Sequence, residues 1–342
     1  MNDIHDKTER GDSQPIELIA GTSLWRDAWR RLLKNKLAVF GMIVVIGLTL
    51  ASVIGPTVIQ RATGYAYDVI PKETRLNKSF PPFRSPEGTF SWTHPMGTDN
   101  AGRDILARVL SGGQISLMVA LISTLVSLVI GVSYGAIAGY VGGGIDDLMM
   151  RVVDVLYSLP YVIIVIVLLA LLPAEAWVTW LRLLFKYLRL GVPPLEASTV
   201  QLAELFFALG AVSWLTMARI VRGQVMSLKN QDFVLAARAT GVSAPKIIFR
   251  HLVPNALGPV IVYATLTVPT VMLSEAFLSF LGLGVRPPRV SWGSLAADGA
   301  QTLAIFPWQL ICPGVTMALM LLSLNFLGDG LRDALDPQAR RE

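Results

Sequence analysis

The stretch LAVFGMIVVIGLTLASVIGPTVI, from Leu37 to Ile59, contains no charged residue. Crossing a bilayer core about 30 Å thick takes about 20 predominantly apolar residues in one α-helix, and this stretch is long enough. It therefore predicts a transmembrane helix. The same composition extends along the chain, because 53% of its 342 residues are hydrophobic and only 15% are charged. These proportions predict a fold whose solvent is lipid rather than water.

Six apolar blocks of this kind predict an all-α integral membrane protein with six transmembrane helices. We expect residues 115–328 to form the core of the bundle, with tails at residues 1–36 and 329–342. An even number of spans places both tails on the same side of the membrane. The predicted spans are Leu37–Ile59, Ile115–Tyr140, Val152–Leu172, Leu202–Val221, Leu257–Leu283 and Ile305–Leu327.

The basic residues predict which side that is. Cations precede the first span and are opposed there by Asp27 alone: Arg26, Arg30, Arg31, Lys34 and Lys36. Since Lys and Arg are retained in cytoplasmic loops during insertion, both tails are expected in the cytoplasm of a cell with an inner membrane. The loop of residues 222–256, between the fourth and fifth spans, then lies on the same side. It is also basic, with Arg222, Lys229, Arg238, Lys246 and Arg250.

Two segments are expected on the opposite face. Residues 60–114 are rich in Pro, Gly and aromatic residues and predict an extracytoplasmic loop built of turns. His94 is expected to be structural there, and three charged residues are expected to fix the start of the second span as an ion-pair network: Asp99, Arg103 and Asp104. The segment Trp177–Leu190 predicts an amphipathic helix in the membrane interface. A short seventh span is the alternative, but it would bring three cations into lipid.

Several classes of function are excluded. The net charge is +5, but the basic residues lie between apolar blocks rather than on one face, which is not the pattern of a nucleic-acid-binding protein. Cys312 is the only cysteine, and the three histidines are scattered, so neither a disulfide nor a metal site is predicted. The sequence has no Gly-Lys dipeptide and hence no Walker A loop. We therefore expect a non-catalytic chain without a cofactor of its own.

Two patterns inside the predicted spans have both a structural and a functional interpretation. Gly131, Gly135 and Gly139 lie on one face of the second span, which lets a neighbouring helix approach closely. Helix packing is the favoured interpretation, and a smooth pore-lining face is the alternative. Glu275, in or near the fifth span, is the most suggestive intramembrane ionisable residue. It is either a contact on a translocation path or a hydrogen-bonding partner within the bundle.

The inner loop carries the most informative sequence, QDFVLAARATGVSAPKIIFRHLVPN, at Gln231–Asn255. The Ala-rich stretch Asp232–Thr240 predicts a helix, and Gly241 is expected to end it in a left-handed conformation. Ser243 is expected to cap a second short helix at Ala244–Arg250, which has a proline in its first turn. Two short helices joined by a glycine therefore form a stiff connection between two spans.

The second short helix is predicted to present an apolar knob with a basic rim. The knob consists of Ile247, Ile248 and Phe249, and the rim consists of Lys246 and Arg250. His251 and Pro254 are expected to end the helix before the chain re-enters the membrane. Because an ordinary loop does not expose such a triplet to water without cause, the pattern indicates a surface held by a partner protein.

This loop resembles the signature of the permease subunits of ABC importers, and within them the second permease of the oligopeptide, dipeptide and nickel class. That signature reads Glu-Ala-Ala, then Gly, then a hydrophobic residue followed by Pro. Here Ala236, Ala237, Gly241 and the pair Val253-Pro254 match it, whereas Leu235 stands where the family often has Glu. The resemblance extends from about Ser23 to Gln338 through further segments: Ser23–Gly41, His94–Asp104, Ser274–Pro288, Ser291–Gly293 and Leu327–Pro337.

The resemblance implies a subunit of a larger machine. It implies a heterodimer with a sister permease, two cytoplasmic ATPases that bind ATP and magnesium, and an extracytoplasmic protein that delivers the substrate. The short helix at Ala244–Arg250 would be the coupling helix seated in an ATPase groove. Peptide is the cargo that the resemblance favours, with nickel or another small solute as the alternative. A proton- or sodium-coupled secondary transporter is the rival class, and it would require several buried acids and broken helices.

Overall fold

The computed structural model describes residues 24–74, 79–84, 89–171, 179 and 197–335. Apart from residue 179, the predicted interfacial helix at Trp177–Leu190 lies outside the described residues, as do residues 1–23 and 336–342 of the predicted tails. The described chain is built of helices joined by turns, with two isolated β-bridges in the segment before the second span. The helices are α1 Leu24–Lys34, α2 Lys36–Thr63, α3 Ile105–Val141, α4 Gly143–Ser158, α5 Tyr161–Leu171, α6 Ala197–Leu228, α7 Asp232–Ala239, α8 Ala244–Ile247, α9 Val253–Phe280, α10 Trp292–Gln301 and α11 Trp308–Leu335.

Among the described residues, five helical runs are long and apolar enough to cross a bilayer. They are α2, α3, α6, the run from α8 into α9, and α11. The bent pair of α4 and α5 makes a sixth when the two are counted as one span. Each of the six predicted spans therefore corresponds to one of these elements, and the chain is an all-α membrane bundle.

Helix α3 begins at Ile105, well before the predicted start at Ile115, so the end of the predicted outer loop is helical. The Asp104 carboxylate accepts a hydrogen bond from the backbone N–H of Ala107 at 2.7 Å, which is the usual way to cap a first turn. The early residues include Arg108 and Ser111, and both are buried. Because these residues are polar, the apolar block that predicts the second span begins only at Ile115.

The prediction of one continuous helix at Val152–Leu172 is wrong. Helix α4 ends at Ser158, α5 begins at Tyr161, and the two axes meet at 97°. Leu159 has an extended backbone, with φ −85° and ψ 143°. Pro160 follows it, and a proline clashes with a helical conformation in the residue before it. The span is therefore broken.

The closest helix contact in the bundle joins α3 to α6, and it runs through the three glycines. A Cβ atom on Gly131 would lie 2.7 Å from Cβ of Met217, and one on Gly139 would lie 2.8 Å from the Arg222 carbonyl oxygen. A Cβ on Gly135 would overlap the carbonyl oxygen of Ala218. These contacts support the packing interpretation, because each glycine faces a neighbouring helix of the same chain.

The outer helices cover this centre and turn apolar side chains outward. On α2, the residues Ile43, Ile46, Leu50 and Ile54 follow helical spacing and are all exposed. An exposed apolar stripe on a spanning helix is the expected contact with lipid tails. On the other side of the same helix, Ala38 packs against Gly330 of α11, which fastens α2 to the last helix.

Candidate functional site

The inner loop folds as predicted around Gly241. Gly241 has φ +76°, a left-handed conformation that residues with a Cβ rarely adopt. Its N–H donates to the carbonyl of Arg238 at 3.0 Å, and the N–H of Val242 donates to the carbonyl of Ala237 at 3.0 Å. This pair of bonds is the Schellman arrangement, which satisfies carbonyls at the end of a helix. Helix α7 therefore ends in a fixed turn rather than a flexible link.

The second short helix does not end where predicted. Helix α8 passes into a π-helical turn at Ile248–Leu252, which continues directly into α9. Pro254 lies in the first turn of α9, where its missing N–H removes no helical hydrogen bond. His251 and Pro254 therefore do not break the chain direction. We call residues 232–252 the inner elbow, and it is joined without a loop to a spanning helix.

The predicted apolar knob is largely wrong. Ile247 and Ile248 are only 1% and 5% exposed, because they pack against Val221, Val225 and Val234. Phe249 alone is exposed, at 50%. Ile247 and Ile248 hold the elbow to α6 and α7 and are not available to a partner.

The outward face of the elbow is smaller and more basic than predicted. Lys246, Arg250 and Pro254 are exposed beside Phe249. Ser243 occupies the N-cap position of α8 with an extended backbone, but its side chain makes no capping hydrogen bond. The signature alanines divide between the two faces: Ala236 is exposed and Ala237 is buried.

Three contacts tie the inner ends of α3 and α4 to α6 and the elbow. Arg222 on α6 binds the buried Asp146 carboxylate of α4 through two nitrogens, at 2.6 and 2.7 Å. The Lys229 ammonium donates to the Gly139 carbonyl oxygen at 2.9 Å. The Arg238 guanidinium of α7 lies 5.0 Å from the centre of the Tyr140 ring. The elbow itself therefore contacts α3 through Arg238, and α6 holds α4 through Arg222.

Glu275 is buried within the bundle. It is 1% exposed, and its Oε1 accepts hydrogen bonds from Ser279 and Ser291, each at 2.7 Å. Ser291 caps α10, so the carboxyl group joins α9 to the start of α10. These contacts support the hydrogen-bonding interpretation, and a place on a translocation path stays a prediction.

The predicted ion-pair network before the second span is present in part: Asp99 pairs with Arg103, whereas Asp104 binds His94 instead. The Asp99 carboxylate binds Arg103 at 2.8 Å and also the buried Arg108. His94 is buried and lies 2.7 Å from Asp104, the residue that caps α3, which is a structural role. Arg108 also lies 3.8 Å from Asp298 of α10. Arg108 was not predicted as a member of this network, and one of its partners, Asp298, is far from it in the chain.

The described residues offer no candidate metal centre, since no group of three His, Cys, Asp or Glu side chains among them is placed to hold an ion. Cys312 is a free cysteine, half-buried on α11.

Comparison with known proteins agrees with this architecture. The family model of the binding-protein-dependent transport system inner membrane component matches residues 131–341. That of the N-terminal TM domain of oligopeptide transport permease C matches residues 23–81.

Several curated relatives are similar over nearly the whole chain. The oligopeptide transport system permease protein OppC of Haemophilus influenzae is 41% identical, over 94% of this chain and 91% of that protein. OppC of Escherichia coli is 41% identical over 98% of each chain. The dipeptide transport system permease protein DppC of Bacillus subtilis is 40% identical, over 93% of this chain and 87% of its own. The chain therefore belongs to the family of inner membrane components of binding-protein-dependent transport systems.

Proposed function

We propose that this chain is a permease subunit of an ATP-binding cassette importer that moves peptides across the inner membrane. The substrate class follows the relatives, which are named as oligopeptide and dipeptide permeases. The observation that carries the mechanism is the inner elbow, a helix, a left-handed glycine turn and a second helix that continues into a spanning helix. A rigid connection of this kind transmits a displacement of the elbow to the spanning helix α9.

The contact with the motor is the outward face of the elbow. Phe249 supplies an exposed aromatic ring, flanked by Lys246 and Arg250. Aromatic anchors with a charged rim are typical of protein interfaces. In this proposal the ATPase grips that face, and nucleotide-driven closure shifts the bundle between two packings. Arg238, Lys229 and the ion pair of Arg222 carry the displacement to α3 and α4.

The remaining partners follow from the same assignment. A sister permease would complete the path as a heterodimer, two cytoplasmic ATPases would bind ATP and magnesium, and an extracytoplasmic binding protein would deliver the cargo. Both termini would lie in the cytoplasm, on the side of the basic residues that precede α2. This chain would perform no catalysis itself.

Charge reversal at the elbow tests the proposal. In the assembled transporter, Lys246→Glu with Arg250→Glu is expected to weaken co-purification of the ATPases on the order of tenfold, because like charges placed across an interface repel. Phe249→Ala is expected to act in the same direction by removing the aromatic anchor. Reversal of Arg30 and Lys34, exposed cations of α1, is the matched control and is expected to leave association unchanged.

The assay also separates the rival classes. Peptide uptake into vesicles that contain the full complex is expected to require ATP and to survive dissipation of the proton gradient. Uphill accumulation by this chain alone, without nucleotide, would establish a secondary transporter. Uptake of a nickel chelate in preference to peptide would change the cargo but not the mechanism. If the ATPases co-purify equally well with all three elbow substitutions, the elbow is not part of the ATPase interface.

A further inference from the structure

A cleft of about 370 Å³ lies where α4, α5, α6 and α9 meet. Its lining residues include Ser213 and Thr216 on α6 and Tyr263 and Thr267 on α9, near the middle of two helices long enough to span the bilayer. Small-molecule sites in proteins have volumes of about 300–1,000 Å³ and often lie between the helices of bundles. The cleft therefore lies at membrane depth and has room for a ligand.

The broken span forms one wall of this cleft. Tyr157 lies in the last turn of α4, Leu159 lies at the break, and Tyr161 opens α5, and all three line the cavity. Irregular backbone at membrane depth is tolerated only where protein encloses it or where it lines a cavity. The break at Pro160 and the cleft are therefore parts of one feature.

Hydroxyl groups make up the polar part of the lining. The Ser213 hydroxyl donates to the Leu209 carbonyl at 2.8 Å, and that of Thr267 donates to the Tyr263 carbonyl at 2.9 Å. Their oxygen lone pairs remain free to accept from a ligand. The hydroxyl of Tyr161 is buried beside those of Ser274 and Ser213, so the three form a polar group at the wall of the cleft.

The chemistry of the lining selects a class of ligand. None of the described lining residues is charged, and none is a His, Cys or Met. A transition-metal ion would need such ligands, and no acid among the described lining residues is placed to pair with an ammonium group. Arg219 lies 4.4 Å from the centre of the Tyr157 ring, but it is paired with Asp154 at 2.7 Å. A neutral group that both donates and accepts, such as a planar amide between tyrosine rings, fits this lining.

We propose that this cleft binds the backbone amides of the peptide during its passage through the bilayer. The inference rests on the proposed function, which supplies a peptide as cargo. Every peptide presents the same backbone amides, so a cleft that reads them accepts many side chains. The hydroxyls exchange hydrogen bonds with water for hydrogen bonds with the cargo, and no fixed charge traps it.

A double-mutant-type comparison, which changes the cleft and the cargo separately and together, tests the proposal. The full transporter is reconstituted with the binding protein, and uptake of a tripeptide is compared with uptake of its analogue in which an ester replaces one backbone amide. The test variant carries Thr216→Val and Tyr263→Phe, two cleft hydroxyls that lie near each other. The control is Thr265→Val, since that hydroxyl also bonds its own helix, at 2.7 Å to Val262, but lies towards Gly328 of α11.

The expected result has two parts. Loss of two hydrogen bonds is expected to lower peptide uptake on the order of tenfold in the double variant. The ester analogue is expected to be imported more slowly than the peptide by the wild type and the control. The double variant is expected to treat the two cargoes more nearly alike, because the partner of the amide is already missing.

A second measurement does not depend on the transport rate. Cys312 is the only cysteine, so Cys312→Ser gives a cysteine-free chain. A Thr216→Cys substitution in that background is expected to react with a small water-soluble thiol reagent and to be protected when tripeptide is transported. A Thr265→Cys substitution is expected to show no such protection.

The outcomes separate the two proposals. A wild-type transporter that imports no peptide contradicts the proposed function. Wild-type import with the same preference for amide over ester in all three chains, or labelling of Thr216→Cys that peptide never reduces, overturns the cleft assignment and leaves the proposed function standing.

Discussion

Replacing Gly241 with valine is expected to uncouple ATP hydrolysis from uptake. Gly241 has φ +76°, and no atom beyond its chain neighbours lies within 4 Å of the position that a Cβ would occupy. A Cβ atom at this position therefore meets no neighbouring atom, and the cost of the substitution arises mainly in the backbone. That isolates the turn as the variable that the experiment changes.

The cost is modest and follows from conformation alone. A left-handed residue with a Cβ costs about 1–2 kcal/mol, and a β-branched side chain is the worst case. Since 1.4 kcal/mol corresponds to a factor of about ten, the native turn loses roughly 5- to 30-fold in population relative to competing conformations. Only the hydrogen bonds of Gly241 and Val242 depend on that turn. We therefore expect a folded bundle whose elbow is wrongly placed.

The assay compares ATP hydrolysis with peptide uptake in the reconstituted complex. Gly241→Val is expected to lower uptake by a factor in that range and to leave basal hydrolysis largely intact. Gly241→Asn is the matched control, because asparagine tolerates the left-handed region and is expected to retain most coupling. The reasoning is refuted if the valine variant assembles normally and imports at the wild-type rate, or if asparagine and valine lose coupling equally.

Substitutions at three further sites, each paired with a control substitution, probe the bundle through the thermal unfolding of the purified complex. Gly135→Ala is expected to destabilise it by about 1–3 kcal/mol, because the new methyl overlaps a carbonyl of α6; Gly47→Ala on α2, where a Cβ meets nothing within 4 Å, should be neutral. Glu275→Leu should destabilise and Glu275→Gln should not, since only the amide oxygen can still accept from both serines; equal loss of uptake in a stable Gln variant would support a path role. Asp146→Asn should cost about 2 kcal/mol, whereas Asp154→Asn, in an exposed pair, should cost under about 1 kcal/mol.

The elbow shows where local sequence was sufficient. The left-handed turn at Gly241 was predictable because only a residue without a Cβ adopts that conformation at little cost. The burial of Ile247 and Ile248 was not, because it depends on valines of α6 and α7 that approach only in the folded bundle. The apolar triplet was therefore assigned to a partner when two of its three members were core residues.

Proline placement shows the same limit. Pro56, Pro259, Pro269 and Pro313 lie inside continuous helices, whereas Pro160 separates two helices at 97°. The neighbouring sequence does not distinguish the prolines inside continuous helices from Pro160, which lies at a break. The Tyr134 hydroxyl binds the Met149 carbonyl at 2.8 Å, and Arg222 binds Asp146, so contacts from α3 and α6 fix the direction of α4. Those contacts join residues that are remote in the chain.

The sequence by itself indicated six membrane-crossing blocks, since each helix in lipid must satisfy its own backbone hydrogen bonds and expose apolar side chains. It also determined the glycine face of α3 and the turn of the inner loop. It did not fix the start of α3 or the break after Ser158. Only the tertiary structure decided that Glu275 is closed off by Ser291, that Arg108 joins the outer loop to α10, and that a broken span opens a hydroxyl-lined cleft. These features depend on which helices meet, and that is set by packing between distant residues rather than by local composition.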